Sequence, residues 1–299
     1  MAFVLAHLSD AHIGPLPRPR LHELFSKRLT GYMNWQRGRR RAHNMDVLAR
    51  IVADLKAQNP DHIAMTGDIL NIGLPAEFPL ARAWIETLGS PHDVSFVPGN
   101  HDAYVRGAVP HLISTFAPYA SSDGRNNTAF PYLRLRGEVA LIGLCSGVPT
   151  APFLASGHLG DMQMRKFAEV LAETGAKGLA RVVMIHHPPH RVGAARGRGL
   201  DDAPAFERVI AQHGAELVLY GHNHRAAVAW LGSARRPVPV VGVPSASAVS
   251  SNHHHRAAYH LFRLEHTGAG WSVSGEARGI GGDLRSVEPL GALALNAPK

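Results

Sequence analysis

The sequence predicts an α/β protein built on a parallel sheet, with its chemistry gathered where the strands end. Short apolar runs at 3–8, 62–66 and 94–97 alternate with amphipathic stretches at 45–55 and 75–88. That β, α, β, α, β order is the pattern of parallel strands joined by helices. Each run ends in residues able to hold a cation: Asp10-Ala11-His12, Gly67-Asp68, and Pro98-Gly99-Asn100-His101-Asp102. Two later runs end the same way, at His186-His187 and at Gly221-His222-Asn223-His224. A loop beyond the carboxyl end of a strand is where open α/β sheets bind their ligands.

The elements follow in order. Phe3 to Leu8 is the first strand; Asp10 and His12, two apart, share a side if the chain stays extended. Met45 to Leu55 is a helix, His62 to Thr66 a strand, Pro75 to Leu88 a helix and Val94 to Val97 a third strand. A helix near 108–117 and a polar loop at 121–128 lead to strands near 131–136 and 138–144, hinged at Gly137. Asp161 to Thr174 places Met164, Phe167, Ala168 and Leu171 on one helical side. Arg181 to Ile185 is a strand, Ala203 to His213 a helix and Glu216 to Tyr220 a strand. Shorter strands around 226–231, 238–243, 258–264 and 271–277 suggest a second, more antiparallel sheet. No repeat or internal boundary is visible. The expected organisation is one domain over 1–280 with a loose, Gly-rich tail over 281–299.

Residues 16–44 differ from the rest. They hold Arg18, Arg20, Lys27, Arg28, Arg37, Arg39, Arg40 and Arg41 against one acid, Glu23, and so account for nearly all of the chain's net charge of +8. Leu21, Leu24, Phe25, Leu29, Tyr32 and Met33 recur at helical spacing, with Trp35 close by. Such a basic amphipathic insertion can lie on an anionic membrane or hold an anionic lipid. It can equally pack on its own domain with a solvated basic face.

Composition narrows the chemistry. A single cysteine, Cys145, excludes an intrachain disulfide and a thiolate cluster, and its apolar setting reads as an inert core thiol. Phe3 to Leu8 is too short for a secretory signal, and no apolar run approaches the length of a membrane span, so the expected location is cytoplasmic, with peripheral contact at the inner membrane surface through 16–44. The basic balance favours anionic partners. His253-His254-His255 reads as surface loop, and His7, His62 and His92 as structural. Arg191, Arg196 and Arg198, around a mobile Gly-rich stretch, either reach an anionic substrate or stay in solvent.

The strand tips together supply Asp10, His12, Asp68, Asn100, His186, His222 and His224, with His101 and Asp102 beside them. Imidazole, carboxylate and amide without thiolate favour manganese, iron, zinc or a similar first-row ion. Two such ions need a bridging anion, which one strand-end carboxylate can provide. They would lower the pKa of a shared water, whose hydroxide attacks phosphorus in line while an imidazole protonates the leaving oxygen.

This ordered set of five motifs, spanning residues 3–224, resembles the calcineurin-like metallophosphoesterase family. The resemblance implies a four-layer α/β/β/α sandwich of two mixed sheets flanked by helices, and a centre of two divalent ions. One ion would sit on Asp10, His12, Asp68 and His224, the other on Asp68, Asn100, His186 and His222. His101 would serve as leaving-group acid or phosphate contact, with Asp102 steering its imidazole. The implied activity is hydrolysis of a phosphodiester or pyrophosphate. Lys27-Arg28-Leu29, Gly31-Tyr32, Asn34-Trp35 and Arg39-Arg40-Arg41 also resemble members that act on lipid-linked pyrophosphates such as UDP-2,3-diacylglucosamine. A nuclease of the same superfamily fits the basic charge, but that charge is confined to one segment. A non-catalytic scaffold would ordinarily have lost ligands, and none is missing here.

Overall fold

A computed structural model describes residues 2–125, 128–191, 193–233, 236–268 and 270–296. Twelve strands form two six-stranded sheets. In the first sheet, β1 (Phe3–Leu8), β2 (His62–Met65) and β3 (Val94–Phe96) run parallel. The order continues on the other side of β1 through β10 (Ala258–Thr267), β11 (Gly270–Ile280) and β12 (Val287–Ala292), all antiparallel to their neighbours. The second sheet has a parallel centre of β5 (Val139–Gly143), β6 (Ala180–Met184), β7 (Leu217–Tyr220) and β9 (Val238–Gly242). Its edges are antiparallel: β4 (Tyr132–Arg136) beside β5 and β8 (Ala227–Leu231) beside β9.

The layers follow from side-chain alternation along the strands. On β6 and β7, Val182, Met184, Leu217 and Leu219 join the core shared with the first sheet. Val183, Val218 and Tyr220 face the other way, toward α6 (Gly160–Ala176) and α7 (Ala203–His213). There Phe167 and Phe206 stack at 5.4 Å. The first sheet is covered by α3 (Met45–Ala57) and α4 (Glu77–Leu88), through Leu48, Ile51, Leu55, Phe78 and Ile85. The result is the four-layer sandwich that the family resemblance implied.

Helix starts are set locally. Asn44 caps α3 by accepting from the N–H groups of Asp46 and Val47. Buried Glu77 opens α4 and accepts from the N–H groups of Asn71, Ile72 and Leu74, which fixes the loop after β2. The short α5 (Val109–Phe116) follows the third strand-tip loop, with proline in its first turn.

Two expectations fail here. The strands at 258–267 and 270–280 do not extend a second antiparallel sheet; they return to the first one, with β10 pairing along β1 from Phe3↔Leu264 to His7↔His260. Nor are the described residues 281–296 a loose tail; residues 297–299 of the expected tail lie outside the described residues. Val287–Ala292 pairs with β11 from Glu276 to Ile280, around a register shift at Ala277/Arg278. Its Gly content hid an edge strand whose outer residues are exposed and therefore lack an apolar pattern.

Residues 16–44 form a broken collar: a single turn at Leu21–Leu24, α1 (Lys27–Asn34), a wide turn at Trp35–Arg39, and α2 (Arg40–Ala42). Tyr32 and Trp35 stack on each other and pack on a small cluster of Leu16, Ile72, Leu74 and Tyr104. Arg28 is buried and donates to the carbonyls of Ile72 and Gly73. Among the described residues, no helix is long and apolar enough to cross a membrane.

Asp54 of α3 ties that helix to the returning strands. Its carboxylate receives Nε and Nη2 of Arg278, each at 2.8 Å, and the Tyr259 hydroxyl. Asp54→Asn should therefore lower unfolding stability by about 1–3 kcal/mol in a urea titration. A midpoint equal to that of the unaltered chain would show that the tie contributes nothing.

Candidate metal centre

Left-handed backbone turns the strand ends inward. Asp10, His12, Asp68, His222 and His224 all have positive φ, between 40° and 66°. An L-residue there costs about 1–2 kcal/mol. Surrounding bonds hold the strain in place. Asp10 N–H donates to Gly67 O, His12 N–H to Asp68 O, and His222 N–H to Asp10 Oδ2. The expectation that Asp10 and His12 share a side of an extended chain is thus corrected: both reach the cleft because the strand ends and curls at Asp10.

Close backbone approach brings the strand tips together, both within the first sheet and between the two sheets. A Cβ on Gly99 would run into the Asp68 carboxylate, and one on Gly221 into Ser9 and the Asp10 carboxylate. These glycines are required by space.

The ring nitrogens are sorted by their outer bonds. His12 donates Nδ1–H to Leu70 O at 2.9 Å, which leaves Nε2 to face the cleft. His186 donates Nδ1–H to Thr66 O at 2.6 Å, leaving Nε2 3.3 Å from Asp68 Oδ2. Such outer bonds fix the tautomer a metal ligand needs. Asp68 divides its oxygens: Oδ1 accepts from His101 N–H at 2.7 Å, while Oδ2 faces His186 and, at 4.0 Å, His12 Nε2.

Two donor groups share that oxygen. On one side, Asp10 Oδ1 lies 3.1 Å from His224 Nε2 and 3.8 Å from His12 Nε2, and the two imidazole nitrogens face each other at 3.4 Å. On the other, His222 Nδ1 is 2.9 Å from Asn100 Oδ1 and 3.3 Å from His186 Nε2. Asp10 Oδ1 is buried with no well-formed hydrogen bond. Imidazole nitrogens and carboxylate oxygens that converge in this way are the donor set a cation satisfies, so the residues fit two ions.

The electrostatics agree. Burial, then the Arg39 and His43 charges, hold His12 well below the usual imidazole range; burial, then His186, takes His222 down to about 3. Both are neutral, so each ring keeps a nitrogen lone pair. Burial opposes ionisation of Asp68, but the His186 and His101 imidazoles outweigh it and hold the carboxyl well below its usual value. Burial also works against charge on His186, and the Asp68 carboxylate overcomes it, raising His186 to about 9.

All seven residues named from sequence as ligands are brought together. His101 stands beside them, its ring 4.9 Å from that of His12. Asp102 does not steer that ring. Its carboxylate accepts from the N–H groups of Asp68, Ile69, Leu70 and Gly99 and so holds the Asp68 loop. Burial and the Asp68 charge push its carboxyl up to about 7, against those four donors. The His101 ring is held instead by Asn71 O at Nδ1 and by Arg39 at Nε2.

Sequence reasoning missed two residues of the cleft. His43 lies 4.7 Å, ring to ring, from His12, with Nδ1 on Ser247 Oγ. Arg39 places Nη1 2.7 Å from His101 Nε2 and Nη2 3.0 Å from His12 Nε2. Their only sequence signal was the run Arg39 to His43 just before a helix cap. His187 is buried against His222, with Nδ1 on Ser146. Arg191 is tied to Glu207, while Arg196 and Arg198 are exposed. Burial pushes the Cys145 thiol up to about 12, so no thiolate is available. The triple-histidine turn is exposed, although His255 Nδ1 reaches His224 O.

Residues 3–226 match the calcineurin-like phosphoesterase family. The chain belongs to that family. Among curated relatives, it is 31% identical over 181 residues to a probable cyclic nucleotide phosphodiesterase of Synechococcus sp., spanning 60% of this chain and 63% of the relative's length. It is 27% identical over 241 residues to the glycerophosphodiester phosphodiesterase GpdQ of Enterobacter lignolyticus, spanning 74% and 70%. Two solved structures share the fold: a dimetal phosphatase from Danio rerio (13% identity, TM-score 0.56, 97% and 99% covered) and a lupin purple acid phosphatase (11%, 0.58, 98% and 53%).

Gly99→Ala and Gly221→Ala should each lose bound metal, read by elemental analysis after gel filtration, while far-ultraviolet circular dichroism stays that of the parent. Full metal content in both would show that the tips tolerate a wider approach.

Proposed function

We propose that this chain is a hydrolase of phosphodiesters or pyrophosphates that depends on two divalent ions, manganese, iron or zinc. One observation carries the reading: Asp68 Oδ2 faces His12 Nε2 from the first sheet and His186 Nε2 from the second, each imidazole belonging to its own converging donor group. Asp10, His12, Asp68 and His224 would hold one ion, and Asp68, Asn100, His186 and His222 the other. When bound, such ions polarise phosphoryl oxygens and bring the pKa of a water toward neutrality. The diester class is supported by the two curated relatives, both named for phosphodiester substrates.

The chain's own residues do the rest. The strained loops hold the donors at fixed spacing, so little reorganisation accompanies the reaction. Burial, then the Arg39 charge, takes the His101 imidazole down to about 3, so in this arrangement its Nε2 accepts from Arg39. A bound phosphoryl group would supply the negative charge that lets Nε2 carry a proton, from which the leaving oxygen takes it. Asp102 contributes by fixing the loop that aims Asp68 rather than by touching substrate.

The test is hydrolysis of bis-p-nitrophenyl phosphate and p-nitrophenyl phosphate with added Mn²⁺ or chelator. Diester turnover is expected with Mn²⁺ and lost with chelator. Asp68→Ala should lose both ions and all turnover. His101→Ala should keep its ions and lose about 10²–10⁴ in kcat. Equal turnover in Asp68→Ala would sink the proposal.

A second reading concerns where the substrate lies, and the outer face of the collar favours it. Leu21 and Phe25 are 82% and 88% exposed, and Leu29 and Met33 are also open. Phe153 and Leu154 add to this face, since Lys27 of the collar donates to Leu154 O. Apolar tips among arginines suit an anionic bilayer and a lipid-linked phosphate ester. The full chain should sediment with phosphatidylglycerol vesicles and not with phosphatidylcholine vesicles. Leu21→Ser with Phe25→Ser should weaken that binding at least about tenfold. Undiminished sedimentation of the double variant would remove the collar from membrane contact.

A further inference from the structure

Arg39 is the one charged side chain of the basic collar whose head reaches the centre of the cleft. Its neighbours are committed elsewhere. Arg28 is used on the carbonyls of Ile72 and Gly73, Lys27 on Thr150 Oγ1 and Leu154 O, and Arg37, Arg40 and Arg41 are exposed. The placement is built in. Gly31 lets α1 press on Tyr104, where a Cβ would meet the ring hydroxyl, and the stacked Tyr32 and Trp35 seat the wide turn that carries Arg39. The head touches His101 and His12 through ring nitrogens, and among the described residues no carboxylate forms an ion pair with it. A half-buried guanidinium without an anion beside it is an anion-binding group in waiting.

We propose that Arg39 is a substrate-binding residue that grips the non-bridging oxygens of the phosphoryl group under attack, and that the collar exists in part to deliver it. This rests on the hydrolase reading above. In that reaction a water oxygen bonds to phosphorus, the bond to the leaving oxygen breaks, and the leaving oxygen takes a proton. Negative charge on the non-bridging oxygens is held throughout, and a planar fork of donors beside His101 matches two of them. His12 Nε2 can serve only one cation at a time, so an ion there frees Nη2 of Arg39 for the phosphate, with Nη1 beside it at His101. The strand tips supply the ions' ligands; the collar supplies the charge that recognises the ester.

The experiment uses the full chain loaded with Mn²⁺, as Arg39→Ala and Arg39→Lys beside the unaltered protein. Three quantities are read: metal content, binding of inorganic phosphate by calorimetry, and kcat/KM on bis-p-nitrophenyl phosphate. Arg39→Ala should keep both ions, bind phosphate at least about tenfold more weakly and lose about 10²–10³ in kcat/KM. Arg39→Lys should recover part of the phosphate affinity, because it restores charge without the fork. Phosphate affinity unchanged in Arg39→Ala with both ions bound would overturn the proposal. So would loss of the ions in Arg39→Ala together with their retention and full phosphate affinity in Arg39→Lys, since Arg39 would then support the metal site through its charge alone. Phosphate binding is read without turnover. An unaltered protein that binds phosphate through Arg39 yet hydrolyses no ester would sink the hydrolase reading and leave this one standing.

Discussion

A carboxylate with no access to water must place one oxygen on a backbone N–H and offer the other to imidazoles carried by two different sheets. Asp68 does this, and most of what surrounds it serves that division. The Asp102 carboxylate gathers four N–H groups so that the Asp68 loop cannot shift. Glu77 does the same one turn further on, for Asn71, Ile72 and Leu74. Gly99 and Gly221 vacate the space that the approach needs. Each of these is a buried polar group satisfied by backbone, which is the cheapest way to make a loop rigid inside a protein.

Rigidity of this kind explains why strain collects here. Five of the seven residues proposed to hold the ions adopt a backbone conformation that L-residues avoid. A loop free to relax would leave it. The cost is met by packing elsewhere, in the two cores that flank the sheets. The imidazoles of His12 and His186 are likewise set in advance by outward nitrogens on carbonyls, and burial keeps His12 and His222 neutral.

The sequence disclosed the parts of this that are local. Apolar runs ending in Gly-Asp, Asn-His-Asp or Gly-His-Asn-His carry their own signal, because strand and tip are adjacent in the chain. Long-range placement was hidden. Nothing near Asp102 says that it serves the backbone of 68–70 rather than the ring beside it. Arg39 and His43 read as part of a charge run, since only the wide turn after Asn34 aims them inward. The exposed β12 lacked an apolar pattern, and β10 could not be assigned to the first sheet without knowing that β1 has a free edge on that side. Asp10-x-His12 was found for a partly mistaken reason: the spacing is right, but a curl, not an extended strand, brings the two together.

The pairing of β10 with β1 bears on how the molecule is made. β1 lies between β2 and a strand more than 250 residues later. One edge of β1 therefore stays unpaired until β10 has been made. Ser245, which accompanies that return, donates to Asp10 O, and Ala246 donates to Ser9 O. Contacts of such long sequence separation form slowly. The curl that aims Asp10 is thus secured only once Ser245 and β10 have been made, and a nascent chain exposes most of the donor residues before it has the geometry to use them.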